Sequence, residues 1–240
     1  MPAPKPRKMT AKEQIEILSA KITPGRFAKM RHAAANRTRR LTVVLEDIFQ
    51  AHNAAAALRS CDAFGVQEVH FIENKYRLRI SRNVDMGVSK WQDLIRHTSP
   101  TARYQKNGMP KDLETRPEEI ANTRAALQGL KERGFRLAAA AVGAENSIGE
   151  IPTDKPVALL IGTELTGLSP AALEMADFEF SAPMAGFAQS LNLSVFAGIC
   201  LDRLSDKMRR EPSWYLSEAE RDALLLNWLK ISIADWQSFI

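Results

Sequence analysis

Leu41-Thr42-Val43-Val44-Leu45-Glu46 is an apolar run of strand length, rich in β-branched residues, and what flanks it decides the kind of sheet it joins. A short loop follows, then Asn53–Phe64 reads as a helix closed by Gly65, and Val69–Ile72 is the next strand. Strand, helix, strand with short connections is a βαβ unit, whose two strands lie parallel. The rhythm continues downstream. Pro117–Arg133 is an amphipathic helix stopped at Gly134, Phe135–Val142 and Pro156–Ile161 are strands, Ser169-Pro170 caps a short helix, and Phe178–Ser181 is a strand. An apolar helix then ends near Leu204; Ser190 is read as its N-cap, with Leu191, Val195 and Ile199 on its buried face. The expected fold is α/β, a mostly parallel sheet with helices on both faces.

Before the first strand, Thr10 and Glu13 form a capping box that opens a helix through Ala20, and Thr23-Pro24 opens a second that runs to about Asn36. Near the other end Ser217 and Glu220 box a final helix carrying Leu224, Leu225, Trp228 and Leu229. Three divisions follow: a basic N-terminal helical extension (1–40), the α/β domain (41–205) and a C-terminal helical extension (206–240). Glu73–Trp91 is irregular and basic, with Arg77, Arg79 and Arg82. His97–Arg116 reads as a long polar excursion, in which Arg103, Lys106 and Lys111 either touch a polyanion or are simply solvated.

Hydrophobic residues make up 45% and charged residues 25% of the chain, which suits a soluble globular protein. No segment reaches the ~18 apolar residues of a membrane span, and the N-terminus lacks the apolar core of a signal peptide. Cys61 and Cys200 sit in apolar helical patterns as small buried residues, pointing to a reducing, cytoplasmic setting. The net charge of +5 conceals an asymmetry: residues 1–40 hold eleven Lys/Arg and two acids, the remainder 22 and 26. A basic arm on a mildly acidic body points to a polyanionic partner, nucleic acid first, although Met1–Lys8 alone reads as a solvated tail.

In open parallel sheets ligands bind beyond the carboxyl ends of the strands. Three loops leave strands there: His52–Arg59, Gly162–Gly167 and Pro183–Asn192. In the first, Arg59 is the one charged side chain between Asp47 and Asp62, so it faces water, an anion or Asp62. In the second, Glu164 lies between two glycines that allow close backbone approach. The third carries Gln189, Ser190, Asn192 and Ser194 on the turn into an apolar helix. Neither a GxxxxGK[ST] loop nor a GxGxxG after the first strand is present, and the four His and two Cys are scattered, so metal catalysis is not expected.

Jointly, His-Asn-Ala-Ala-Ala-Ala-Leu-Arg-Ser-Cys-Asp-Ala-Phe-Gly-Val (52–66), Leu-Leu-Ile-Gly-Thr-Glu-Leu-Thr-Gly-Leu (159–168) and Pro-Met-Ala-Gly-Phe-Ala-Gln-Ser-Leu-Asn-Leu-Ser-Val (183–195) resemble the three motifs of the SPOUT superfamily of RNA methyltransferases. Within it the resemblance is to the tRNA (guanosine-2′-O)-methyltransferase branch, TrmH, which Thr-Pro-Gly-Arg-Phe-Ala-Lys-Met (23–30) also resembles. The resemblance implies a deep trefoil knot in the C-terminal half, an S-adenosyl-L-methionine (SAM) pocket and a homodimer that completes the site. It places SAM against backbone near Ala140, Gly162, Ala182 and Leu191, with Ser190 and Asn192 shaping the catalytic pocket. Arg59 takes the catalytic position, supported by Asn53 and Glu164, with the Arg of one subunit near the SAM of the other. RNA contacts are expected from Arg26, Arg37, Arg39 and Arg40 of the basic arm and from Arg77 and Arg79.

The reaction so implied is attack of a ribose 2′-hydroxyl on the SAM methyl carbon. A guanidinium holds its proton throughout the physiological range, so Arg59 serves better as a fixed cation facing the developing alkoxide than as a base. The expected substrate is the D-loop guanosine at position 18 of tRNA. Ribosomal RNA or another tRNA position is the alternative of the same chemistry, and a non-catalytic RNA-binding module is the alternative of another class.

Overall fold

The computed structural model describes residues 9–80, 85–104 and 114–240; Met1–Lys8, Arg82, Lys106 and Lys111 lie outside the described residues. In chain order the helices and strands are α1 (Ala11–Ser19), α2 (Pro24–Ala35), β1 (Leu41–Glu46), α3 (Ala51–Ala63), β2 (Glu68–Glu73), β3 (Tyr76–Arg77), β4 (Asp93–Thr98) and β5 (Arg103–Tyr104). They continue with α4 (Pro117–Glu132), β6 (Arg136–Ala140), β7 (Val157–Ile161), α5 (Pro170–Met175), β8 (Phe178–Phe180), α6 (Leu193–Met208) and α7 (Glu218–Ser232). The chain divides into two compact units, Thr38–Trp214 and Met1–Arg37 with Tyr215–Ile240.

Within Thr38–Trp214 six strands form one sheet in the order β4-β2-β1-β7-β6-β8, every neighbouring pair parallel. Val43 stands opposite Val69 on one side and Leu159 on the other. Helices cover both faces, as the βαβ reading predicts, and β1, β2 and β7 are buried at every position. The alternation of a strand assigns each residue to a layer. Val43, Leu45, Val69, Phe71 and Leu159 pack with Leu58 of α3 and Leu201 of α6; Val44, Ile72 and Leu160 pack with Leu127 and Leu130 of α4. Fully buried leucines such as Leu58 and Leu201 each contribute about 2 kcal/mol by leaving water.

The register of α6 differs from the sequence reading. Its buried face is Leu193, Ala197, Cys200, Leu201, Leu204 and Met208, whereas Val195 and Ile199 are exposed. The helix is apolar on two stripes, and periodicity alone does not say which one meets the sheet. Its N-cap is Asn192, not Ser190. Cys61 and Cys200 are buried and outside any disulfide, and desolvation pushes the Cys200 thiol up to about 12, so it stays protonated.

Strand β4 falls at the seam between the expected irregular stretch and the expected excursion. It is an edge strand of mixed polarity, with Leu94 and Ile95 as its apolar pair, and β2 satisfies its polar groups. Glu73 accepts from Arg96 and, at 2.7 Å, from the Thr98 hydroxyl. Deeper in the pair, His70 Nε2 lies 2.7 Å from Glu68 Oε1, and His70 Nδ1 lies 2.9 Å from His97 Nε2. Glu68 also takes both Arg133 nitrogens, at 2.6 and 3.0 Å.

Two pH windows follow from this cluster. Burial, then the neighbouring His70, lower the His97 pKa from the ordinary 6.5, with Glu68 opposing. The unfolded chain therefore binds this proton more readily, and stability should fall as pH drops below 6.5 through the lowered folded value. Burial pushes Glu68 up, but hydrogen bonds from His70 and Arg133 outweigh it and hold the carboxyl at about 2, so a second loss should follow between 4.5 and about 2. Urea melts from pH 8 to 5 should show the first decline, and His97→Asn should flatten it.

The other unit is helical. α1 and α2 each pack on α7, and the capping boxes at Thr10/Glu13 and Ser217/Glu220 form as read. Here Arg37 requires a correction: it is 4% exposed, its guanidinium stacked 5.4 Å from the Trp228 ring, so it is not displayed for RNA. A flat guanidinium buries well on an indole, and the basic run in the sequence does not reveal that partner.

Candidate functional site

The loops after β1, β6, β7 and β8 leave the same, carboxyl edge of the sheet, and one buried side chain ties three of the segments there. Asn53, in the first turn of α3, is 2% exposed. Its Nδ2 donates to Gln50 Oε1 at 2.7 Å and to Glu164 Oε1, and its Oδ1 accepts from Asn192 Nδ2 at 3.0 Å. Both amide hydrogens are thus used, each directed to a different segment. Asn192 in turn caps α6, its Oδ1 accepting from Ser194 N at 2.9 Å and Ser194 Oγ at 2.6 Å. Asn192→Ala removes the cap and the tie together and should cost about 1–2 kcal/mol in a denaturant melt. A loss well under that would show that the cap is not rigidifying this loop.

The loop after β7 is closed on itself. Thr163 N donates to Gly167 O at 3.1 Å and Gly167 N to Thr163 O at 2.9 Å, while the Thr163 and Thr166 hydroxyls meet at 2.8 Å. Gly167 adopts φ 69, a left-handed conformation suited to glycine. A Cβ on Gly162 would lie 2.1 Å from Gly167 C and O and 2.3 Å from Leu168 N, so the turn closes only over glycine. Glu164 and Leu165 are exposed on it.

The loops after β6 and β8 are laced together. Ala141 N donates to Phe180 O at 2.9 Å, Ser181 N to Asn146 O at 2.9 Å, and Ser181 Oγ to Ala144 O at 2.7 Å. Along this crest Ala140, Gly162, Ala182 and Leu191 are all half-buried. Three of the four are Ala or Gly, so backbone N–H and C=O groups at the strand ends stay within reach of a ligand, with Leu191 as an apolar flank. An adenosyl group, flat and read by backbone, fits such a lining; it requires no charged cradle.

Two expected site residues are not drawn into this network. Ser190 is exposed on the loop before the cap. Arg59 is exposed on α3 and its side chain makes no hydrogen bond or ion pair among the described residues, so the Asp62 alternative is not realised. It stands six residues beyond Asn53, about 9 Å along the helix axis. Of the expected RNA contacts, Arg26 is exposed on α2. Arg39, half-buried, pairs with Asp93 at 2.6 Å and Glu68 at 3.4 Å, and Arg40 reaches Asp154 O at 3.4 Å. Arg77 and Arg79 are exposed. Sequence reasoning passed over Gln50, whose proximity to Asn53 was the available signal.

Comparison with known proteins bears on the same segments. Residues 98–202 match the SpoU rRNA Methylase family. The chain is 31% identical over 227 residues to a tRNA (guanosine(18)-2′-O)-methyltransferase of Borreliella burgdorferi, covering 94% of each. A protein of the same description from Thermus thermophilus is 31% identical, over 87% of this chain and 97% of its own. Among solved structures, the A. aeolicus TrmH/SpoU tRNA modifying enzyme superposes with a TM-score of 0.69 at 28% identity, covering 88% of this chain and 98% of that one. Similarity at this level over nearly the whole of both chains establishes that this protein belongs to the TrmH/SpoU methylase family.

Proposed function

We propose that the protein transfers a methyl group from SAM to the 2′-hydroxyl of the guanosine at position 18 in the D-loop of tRNA, acting as a cytoplasmic homodimer. The observation that carries this reading is the buried Asn53, which holds Glu164 and Asn192 of the other two loops while Arg59 on the same helix stays free of partners among the described residues. Such a site has its scaffold ion-pair-free at the cation that needs an anionic guest.

SAM, when bound, supplies a methyl group on a good leaving sulfonium. Ala140, Gly162, Ala182 and Leu191 would hold it by backbone contact and apolar cover. Arg59 is the catalytic cation: it grips the phosphate beside the target ribose and stabilises the oxyanion as the hydroxyl loses its proton to phosphate or water. Glu164, Ser190 and Asn192 shape the pocket around the ribose. Positioning supplies most of the acceleration, because the electrophile is already activated.

The distance of Arg59 from the Asn53 end of its own helix favours service to the partner's pocket. An interface is at hand: Val195 is 51% and Ile199 36% exposed on α6, and Phe187 is fully exposed on the preceding loop. Covering that stripe with its own copy about a two-fold axis suits an isologous dimer. The basic N-terminal helices, with Arg26 exposed, and Arg40 supply phosphate contacts that add affinity without sequence choice. The trefoil knot belongs to this reading as the family fold, and the buried Cys61 and Cys200, outside any disulfide, suit a reducing compartment.

Calorimetric titration with SAM, followed by transfer of its methyl group to an unmodified tRNA transcript, tests the proposal. SAM binding without transfer to tRNA would move the assignment to ribosomal RNA. No SAM binding at millimolar concentration would leave an RNA-binding module.

A further inference from the structure

Strands β3 and β5 form a separate two-stranded parallel ribbon, with Tyr76 opposite Arg103 and Arg77 opposite Tyr104. The ribbon follows directly from the carboxyl ends of β2 and β4, so it rises from the edge that carries the candidate site. It is anchored there: Asp47 Oδ1 accepts from Asn74 N at 2.7 Å and Lys75 N at 2.8 Å, and Tyr76 packs edge-to-face on Phe49, 6.2 Å between centroids, in the loop leading to Asn53.

Tyr104 behaves differently from Tyr76. Half of it is exposed, and two guanidinium groups lie over its ring, Arg79 at 4.3 Å and Arg77 at 5.9 Å from the centroid. Neither arginine has an acidic partner among the described residues, and both are exposed. A rigidly based ribbon that leaves half of an aromatic ring in solvent, with two cations packed over the ring and no acid beside them, has the composition of a single-strand platform: the exposed part of the ring stacks a base and the cations meet its flanking phosphates. A paired base has no free face to offer, so the platform selects nucleotides outside a helix.

We propose that Tyr104, with Arg77 and Arg79, is a second RNA subsite that stacks one unpaired nucleotide of the substrate loop, away from the nucleotide that is methylated. This rests on the RNA-methylation reading and adds to it a reason for preferring loops over duplexes.

The test uses the intact protein, an unmodified tRNA transcript and a blunt RNA duplex, with binding followed by fluorescence anisotropy across a salt series. Tyr104→Ala should weaken tRNA binding about 5- to 100-fold, and raise KM for tRNA rather than lower kcat, while duplex binding changes less than about two-fold. Tyr104→Phe should restore tRNA binding, which a loss of folding would not allow. Arg77→Gln with Arg79→Gln should reduce the slope of log affinity against log salt by about 1–2. Unchanged tRNA affinity in Tyr104→Ala, or equal losses on tRNA and duplex, would overturn the proposal. If the wild-type protein binds SAM but methylates no tRNA, the functional reading has failed; if it methylates tRNA and Tyr104→Ala is indifferent, this subsite alone has failed.

Discussion

Gly162→Ala should abolish measurable SAM binding and destabilise the Thr38–Trp214 unit. The added Cβ would meet backbone, not side chains: Gly167 C and O at 2.1 Å and Leu168 N at 2.3 Å. No rotamer change relieves that, so the turn must open. Opening breaks the paired Thr163–Gly167 hydrogen bonds and withdraws Glu164 from Asn53. Forcing a methyl into such a contact costs about 1–3 kcal/mol, here with two hydrogen bonds lost besides. Gly129→Ala is the control. It lies within α4 with nothing within 4 Å of the new methyl, so it should stabilise by about 0.5–1 kcal/mol. Denaturant melts and SAM calorimetry on the two variants distinguish a loop-specific effect from a general intolerance of added methyls. Wild-type SAM affinity in Gly162→Ala would mean that the β7 loop does not form the pocket.

Arg59→Ala should lower kcat by about 10²–10³-fold, the usual consequence of removing one fixed oxyanion-stabilising group. Its side chain is exposed and free of partners among the described residues, so stability should move by no more than about 0.5 kcal/mol. Arg59→Lys should restore little, because a point charge does not reproduce the planar fork that grips a phosphate. The dimer reading adds a sharper expectation. Arg59→Ala and Gly162→Ala should both be inactive alone. If Arg59 serves the partner's pocket, their mixed dimers contain one intact site, and an equal mixture should recover about one quarter of wild-type activity after subunit exchange. Recovery would require subunits that each supply the part the other lacks; a mixture as inactive as its components would place Arg59 in its own subunit's site.

How far the sequence led can be seen residue by residue. β1 was legible to the residue, because a six-residue apolar run in a parallel sheet is buried on both faces and has no competing period. The caps at Thr10, Thr23, Ser169 and Ser217 were legible because each is local: a hydroxyl three residues from the N–H it accepts. β4 was not legible, since its edge position lets Arg96, His97 and Thr98 find partners on β2, information that is sequentially distant. The same distance hid the fates of Arg37 and Arg39: one stacks on Trp228 and the other pairs with Glu68 and Asp93, so a basic run read as a single arm resolves into residues with separate work. In the site, the three motifs identified Asn53, Glu164 and Asn192 as belonging together. Their hydrogen bonds, and the shift of the α6 cap from Ser190 to Asn192, required the fold, because each depends on loops brought side by side by the sheet.

The central claim is tested most directly by incubating the protein with SAM and an unmodified tRNA transcript, digesting the RNA with nuclease and mapping the product by mass spectrometry, with a guanosine-to-adenosine change at position 18 of the transcript as control. The account predicts a single 2′-O-methylguanosine at position 18 that is absent from the altered transcript and strongly reduced with Arg59→Ala. A methyl group elsewhere in the tRNA, on a base rather than a ribose, or present at full level with Arg59→Ala, would contradict it.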